Sequence, residues 1–349
     1  MATAARKFFV SRLIWSIFVA HRRLYYLLRA LHNGVGKNQR DEANIYNIRR
    51  NTHILEKALV NPRLKPTFGE LYVANLVPQM RAAIASGSID ANTQAWAIAV
   101  LHRYFAVCQF TPKIKVAHDL FLRLRLDNTS PHAVPYLAQD RPPLMVSYDA
   151  LLALAKRRRS IRMFLSKPVP VGDVKRAMAV AVESPSACNR QAFRFLLYTE
   201  EKNITRIVEI PMGGKTLKLP ALIVIVGRYS GYHNEREIYC PIDDAMLSAM
   251  AFQFALETLG LSSVCINWPT LREKDEAIRE VLDLELDEFV IMLLGLGYAD
   301  PTGKIPYSAK RNVDEMLLVD QKLKPQAGPE PDRRRRRMPV GLSSICDPS

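Results

Sequence analysis

Arg158-Arg159-Ser160-Ile161-Arg162-Met163-Phe164, then Pro185-Ser186-Ala187-Cys188-Asn189-Arg190-Gln191, then Phe193-Arg194-Phe195-Leu196-Leu197-Tyr198 form the stretch that decides the fold. Three arginines and a hydroxyl within five residues suit a phosphate, because the guanidinium fork matches phosphate oxygens two at a time. Ser160 can donate to the same group. The blander reading is that Lys156 to Arg159 end a helix, where cations suit the carbonyl end of the dipole. Ser147, Tyr148 and Asp149 open that helix, and Leu151, Leu152 and Leu154 give it an apolar side. Pro168 and Pro170 break the chain, and a second helix is expected over Asp173 to Val182, stopping before Ser184-Pro185. Asn189 and Gln191 each carry a donor and an acceptor on one planar amide, which can read the edge of a flat polar ring. Ser, Asn and Pro are also ordinary turn residues, so this loop is informative only by its place between the arginine run and a strand.

Working outward, Asp243-Asp244-Ala245 opens a long apolar helix ending at Leu259-Gly260-Leu261-Ser262-Ser263. A buried-strand run, Phe289 to Leu294, leads into Gly295-Leu296-Gly297-Tyr298. The basic pair Lys310-Arg311 follows, before Asn312-Val313-Asp314-Glu315.

In this order the four places resemble the nitroreductase family, over roughly Tyr148 to Leu317, about half the chain. The resemblance implies an α+β fold with a nitroreductase-like central mixed β-sheet flanked by helices. It also implies a homodimer with two FMN sites at the subunit interface. By position, Arg158, Arg159, Ser160 and Arg162 would hold the phosphate, the ribityl chain and the nearby ring edge. Arg311 would complete the phosphate site. Pro185, Ser186, Ala187, Asn189 and Gln191 would reach the ring from the other subunit. Cys265, Ile266 and Asn267 fall where the family runs its backbone past the reactive ring nitrogen, and there an amide N–H matters more than a side chain. Trp268-Pro269 departs from the glycine that many relatives carry nearby. Either the tryptophan narrows the substrate face or the register is displaced by one or two residues.

The implied activity is an FMN-dependent oxidoreductase. NADH or NADPH reduces the flavin and leaves, and a small organic acceptor then takes the electrons. Chemistry borne by the cofactor needs no catalytic side chain. The alternative from another class is a flavin-binding or degenerate member acting mainly in interaction or membrane docking. Flavin-linked dehydrogenation is a third option.

Gly213-Gly214-Lys215-Thr216 lacks the first glycine of a phosphate loop and is read as a connection between a helix and the strand Ala221 to Gly227. Gly295-Leu296-Gly297 lacks the third glycine of a dinucleotide fingerprint, so the nicotinamide is expected to dock on the flavin. His233 is read as a surface residue. Five cysteines, at 108, 188, 240, 265 and 346, form no Cys-x-x-Cys pair. That count points to reduced thiols in a cytoplasmic compartment and away from a zinc site. Cys188 and Cys265 are read as small space-filling residues rather than redox groups.

Charge separates the rest of the chain. Residues 1–149 carry 20 Lys/Arg against 9 Asp/Glu, residues 150–320 carry 22 of each, and residues 321–349 carry 7 against 3. The whole excess of +15 therefore lies outside the family-like part. Residues 1–126 read as a helical extension, 127–146 as a proline-containing linker, 147–320 as the FMN domain and 321–349 as a disordered basic tail. Phe9, Leu13, Ile17, Ala20, Leu24, Leu27, Leu28 and Leu31 form one stripe at helical spacing, with Arg12, Arg22, Arg23 and Arg29 away from it. For residues 6–31, packing on the protein and contact with an anionic membrane surface both remain open. The second would make the protein peripheral at the inner membrane. Leu13 to Ala20 is too short to span a bilayer. Further helices are expected over Asp41–Leu59, Thr67–Ser86, Asp90–Gln109 and Lys113–Arg125. Arg49 to Lys57 is read as a solvated face in preference to a pocket lining. Arg333 to Arg337 can attract nucleic acid without specificity, and no specific nucleic-acid partner is expected.

Overall fold

The computed structural model describes residues 24–213, 217–232 and 234–322. The chain divides into two compact units, Met1–Ile305 and Pro306–Ser349. In the second, the described part holds one short helix, Val313–Met316, capped by the Asn312 side chain. The expected basic tail beyond residue 322 lies outside the described residues, as do His233 and residues 6–23 of the amphipathic stretch.

The first unit is α+β. A four-stranded sheet runs in the order β1-β2-β4-β3, with β1 Phe193–Tyr198, β2 Ala221–Arg228, β3 Ser262–Asn267 and β4 Glu288–Gly297. All three pairings are antiparallel. The parallel component of the expected mixed sheet is a single bridge, Ser160 with Ser263. β2 is an unbroken apolar run because both its faces are covered. Ala221, Ile223 and Ile225 pack with Val174, Ala177, Phe252 and Leu256 on one side. Leu222, Val224 and Val226 pack with Ile204, Ile207, Ile278 and Trp268 on the other.

The helical extension begins with a helical run over residues 24–40 (α1) that contains a π-helical segment, Ala30–Val35. Four helices follow, α2 Ile45–Leu59, α3 Glu70–Ser86, α4 Ala91–Val107 and α5 Pro112–Arg123. Their ends follow from caps. Asn44 accepts from Tyr46 and Asn47 N–H, so α2 starts four residues after Asp41, and Gly69 in the left-handed region (φ 65°) delays α3 past Thr67. Asp90 and Thr111 cap α4 and α5. Ile48, Leu55, Leu76, Met80, Leu101 and Tyr104 are fully buried in a core of this region's own. Residues 124–147 are irregular apart from one 3₁₀ turn, Ala138–Asp140. No helix among the described residues is long and apolar enough to cross a membrane.

The remaining helices are α6 Tyr148–Arg157, α7 Val171–Ala181, α8 Glu201–Met212, α9 Cys240–Thr258 and α10 Arg272–Arg279. α8 ends at Gly213 (φ 59°) before the connection to β2, as expected.

Two expectations about the extension are reversed. Arg29, placed on the polar side of the apolar stripe, is buried. It donates to the carbonyls of Leu286 and Glu288 and lies 3.6 Å from Asp275, while Leu24 and Leu28 are exposed. The π-helical segment brings Gly34 so close to Tyr229 that an added Cβ would lie 2.3 Å from the tyrosine Cβ. The polar run on α2 is not a solvated face either, because Asn51 and Thr52 are buried. Asn51 donates to Gln79, and the Thr52 hydroxyl satisfies itself on the Ile48 carbonyl.

Candidate functional site

The arginine run sits where α6 meets the open edge of the sheet. Ser147 caps α6 by accepting from Ala150 N–H at 3.1 Å, and Lys156 and Arg157 fill its last turn. The chain then passes alongside β3, where Ile161 N–H donates to the Ser263 carbonyl at 3.0 Å. This fixes Arg158, Arg159 and Ser160, all half-buried, beside the strand that carries Cys265, Ile266 and Asn267. Arg162 is exposed and folds back on the Ser160 carbonyl at 3.3 Å. The sequence reading missed two participants. Arg157 pairs at 3.3 Å with Glu257, buried near the end of α9, and Gln253, one turn earlier, accepts from Ser263. Their signal was a charged and an amide residue at i and i+4 in an otherwise apolar helix.

Burial pushes the Glu257 carboxyl above the usual carboxylate range, while Ser262, Arg157 and Arg158 pull it back. Desolvation likewise pushes the Cys265 thiol up, and the charge of Arg158 and a bond to Gln253 oppose it. Arg158 therefore acts on both α9 and β3. Half-buried guanidiniums and a hydroxyl anchored beside an exposed strand edge are a donor set that fits a phosphate dianion.

β3 is an edge strand, and alternate residues of an antiparallel strand turn their N–H and C=O groups to opposite sides. The Ser263 carbonyl faces outward to Ile161. Cys265 and Asn267, two and four residues on, face the same open edge. Ile266 turns its amide toward β4, so it is the one of the three that cannot offer it to a ring. Trp268 does not narrow a substrate face. It is 6% exposed, and its indole donates at 2.9 Å to Asp275, itself buried.

The loop Pro185 to Gln191 lies at the other end of α9. Ala187 N–H donates to Asp244 at 3.0 Å, and Tyr232 holds the second Asp244 oxygen at 2.8 Å. Fully buried Arg190 pairs with Glu237 and donates to the Gly231 carbonyl. Burial pushes the Asp244 carboxyl up, against these donors and Arg190. Ser186 accepts from Gln191 N–H, and the Gln191 amide donates to the Val182 carbonyl at 2.6 Å. Cys188, Asn189 and Gln191 all have positive φ, 53°, 50° and 53°. Each such non-glycine residue costs about 1–3 kcal/mol and persists where its surroundings fix it.

One chain therefore does not bring its two expected half-sites together. The loop is anchored at Asp244 and the arginine run at Glu257, roughly 20 Å apart along the helix axis at 1.5 Å per residue. Arg311 belongs to the second unit, where it pairs with Glu315 at 3.3 Å.

These features agree with the sequence comparison. The family model described as "Nitroreductase family" matches residues 155–218 and 213–298, so this part of the chain is similar to that family. The chain is similar to an iodotyrosine deiodinase of Thermotoga neapolitana, 26% identical over 185 residues, 45% of this chain and 92% of that protein. It is also similar to an Archaeoglobus fulgidus protein provisionally named NADH dehydrogenase/NAD(P)H nitroreductase, 23% identical over 153 residues, 43% of this chain and 86% of the other. Among solved structures, an FMN-dependent nitroreductase from Clostridium difficile aligns with a TM-score of 0.43 and 20% identity, covering 49% of this chain and 99% of that one.

Proposed function

We propose that this chain is an FMN-dependent oxidoreductase that works as a homodimer, taking electrons from NADH or NADPH and passing them to a small organic acceptor. The observation that carries this reading is the placing of the two half-sites at opposite ends of α9. Between them α9 exposes Leu247 and Met250, with Ile242 nearer its start, and the end of α7 exposes Val180 and, just past it, Val182. A two-fold axis through the middle of that apolar face sets one copy's arginine run beside the other copy's loop, as an isologous interface requires. When bound, FMN supplies the hydride chemistry. The chain's own residues hold and tune it. Arg158, Arg159 and Ser160 bind the phosphate end, Cys265 and Asn267 offer edge amides, and Asn189 and Gln191 in their loop shape the ring's surroundings. Arg162, exposed, screens the outer side.

The same reading divides the chain into the extension, residues 1–126, the connection, 127–146, the flavin domain, 147–320, and the tail, 321–349. For residues 6–31 the docked, described end at Arg29 favours packing on the protein over membrane contact.

The test is flavin content and its bleaching by NADH or NADPH without oxygen. The protein should purify yellow and bleach. Arg158→Ala/Ser160→Ala should purify largely colourless, since each lost charge-assisted bond contributes about 1.5–3 kcal/mol. Full occupancy in that variant would remove the phosphate assignment. A yellow protein that neither nicotinamide bleaches would instead favour an interaction role.

A further inference from the structure

We propose that Arg49, on helix α2 of the extension, is a positioning residue that sets the conformation of the loop 187–191. This rests on the flavin reading only for what the loop touches. The contact itself is a feature of this chain.

The Arg49 guanidinium spends its donors on the loop. Its Nε donates to the Asn189 carbonyl at 2.7 Å, and one terminal nitrogen donates to the Gln191 side-chain oxygen at 3.1 Å. The other donates to the Thr93 hydroxyl at 2.6 Å. Thr93 is fully buried near the start of α4, whose cap, Asp90, binds its N–H and places a carboxylate near Arg49. The Trp96 ring lies 5.4 Å from the guanidinium carbon. The fork is thus fixed by a hydroxyl, a charge and a ring before it meets the loop. A planar fork held in this way presents two donors at a set spacing.

The loop needs such a support. Three of its four residues from Cys188 to Gln191 hold left-handed backbone without being glycine. From the sheet side, Asp244 and Arg190 hold only its first half, at Ala187 and through the Arg190 side chain. At the second half, Arg49 holds the Asn189 backbone carbonyl and the Gln191 side-chain oxygen, while Ser186 and the Val182 carbonyl take the Gln191 N–H groups. Close packing seals the junction, because a Cβ at Gly231 would lie 2.1 Å from the Ala192 Cβ and 3.6 Å from the Tyr46 ring. A family domain without this extension would have to hold the same loop otherwise. In the proposed dimer, each chain's extension would shape the half-site that the chain lends to the other.

The experiment uses the full chain and compares wild type, Arg49→Ala, Arg49→Lys and Leu55→Ala. Leu55, six residues further along α2, is buried in the extension core rather than bonded to the loop, and serves as a destabilised control. Hydrogen exchange over residues 185–192 is measured by mass spectrometry, together with FMN affinity and the visible circular dichroism of saturated protein. Arg49→Ala should speed exchange in the loop about tenfold or more, beyond Leu55→Ala, since the opening free energy of a local segment sets its protection. FMN should bind about tenfold more weakly and its dichroism should change, with Arg49→Lys intermediate because it keeps one donor direction. Loop exchange in Arg49→Ala no faster than in Leu55→Ala overturns the proposal. If the wild-type chain binds no FMN while loop exchange still rises in Arg49→Ala, the flavin reading fails and the loop-setting role of Arg49 stands.

Discussion

Replacing Arg29 with alanine tests how the extension is anchored. Arg29 and Asp275 are each 8% exposed in their side chains and lie 3.6 Å apart. The alanine variant keeps the Trp268 bond to Asp275 at 2.9 Å but removes the cation paired with this carboxylate, together with donors to two carbonyls. Breaking a buried pair from one side costs about 3–5 kcal/mol, because a desolvated charge is left behind. At roughly 2–4 °C per kcal/mol, the melting temperature should fall by roughly 6–20 °C. The pH dependence separates charge from lost packing. Burial already raises the Asp275 carboxyl above its ordinary value, opposed by Trp268, Tyr26 and Arg29. A carboxyl that titrates higher in the folded state binds the extra proton there, so its contribution to stability is greatest in acid and is lost as pH rises through the folded pKa. Without Arg29 that pKa moves further up. The deficit of Arg29→Ala should therefore be full at neutral pH and shrink as pH falls through the raised folded-state pKa of Asp275. Thermal melts of both proteins across that range give the answer. A deficit under about 1 kcal/mol at neutral pH, or one that does not change with pH, would refute the unpaired-carboxylate account.

Other outcomes follow from single contacts. Trp268→Phe keeps most of the volume and removes the donor to buried Asp275, so it should cost about 1–3 kcal/mol while leaving acceptor preference unchanged; a changed acceptor profile at unchanged stability would return the indole to the substrate face. Gly231→Ala forces a Cβ to within 2.1 Å of the Ala192 Cβ and should cost about 1–3 kcal/mol or more, read by denaturant melt. Leu247→Glu, on the exposed middle of α9, should give a monomer by light scattering and lose flavin with it, whereas a flavin-loaded monomer would separate the cofactor from the dimer.

The alternation and runs of apolar residues made three of the four strands and most helices legible. β2 shows itself as an unbroken apolar run, α9 as a long apolar helix, and the caps at Ser147, Asp90 and Thr111 as polar residues ahead of helical spacing. The arginine run was legible by itself, but β3 was not read as a strand, and nothing showed that Ser160 would lie against Ser263, since pairing across that distance in sequence leaves no local mark. Arg29 and Arg49 were misread for one reason. A charged residue on a helix is ordinarily solvated, and only a tertiary partner, Asp275 for one and the Asn189 carbonyl for the other, reverses that. Ile266 illustrates a finer limit, because which amide faces the open edge depends on register, and register is set by the pairing with β4.

The account's central claim is a flavin site assembled from the arginine run of one chain and the loop of another. A mixed dimer tests it, built from one chain carrying Arg158→Ala/Ser160→Ala and one carrying Asn189→Ala/Gln191→Ala. Each variant alone should purify depleted of flavin. The mixed dimer should regain one intact site and bind one flavin per dimer. A mixed dimer as depleted as its parents would mean that both half-sites act within a single chain, and would contradict the account.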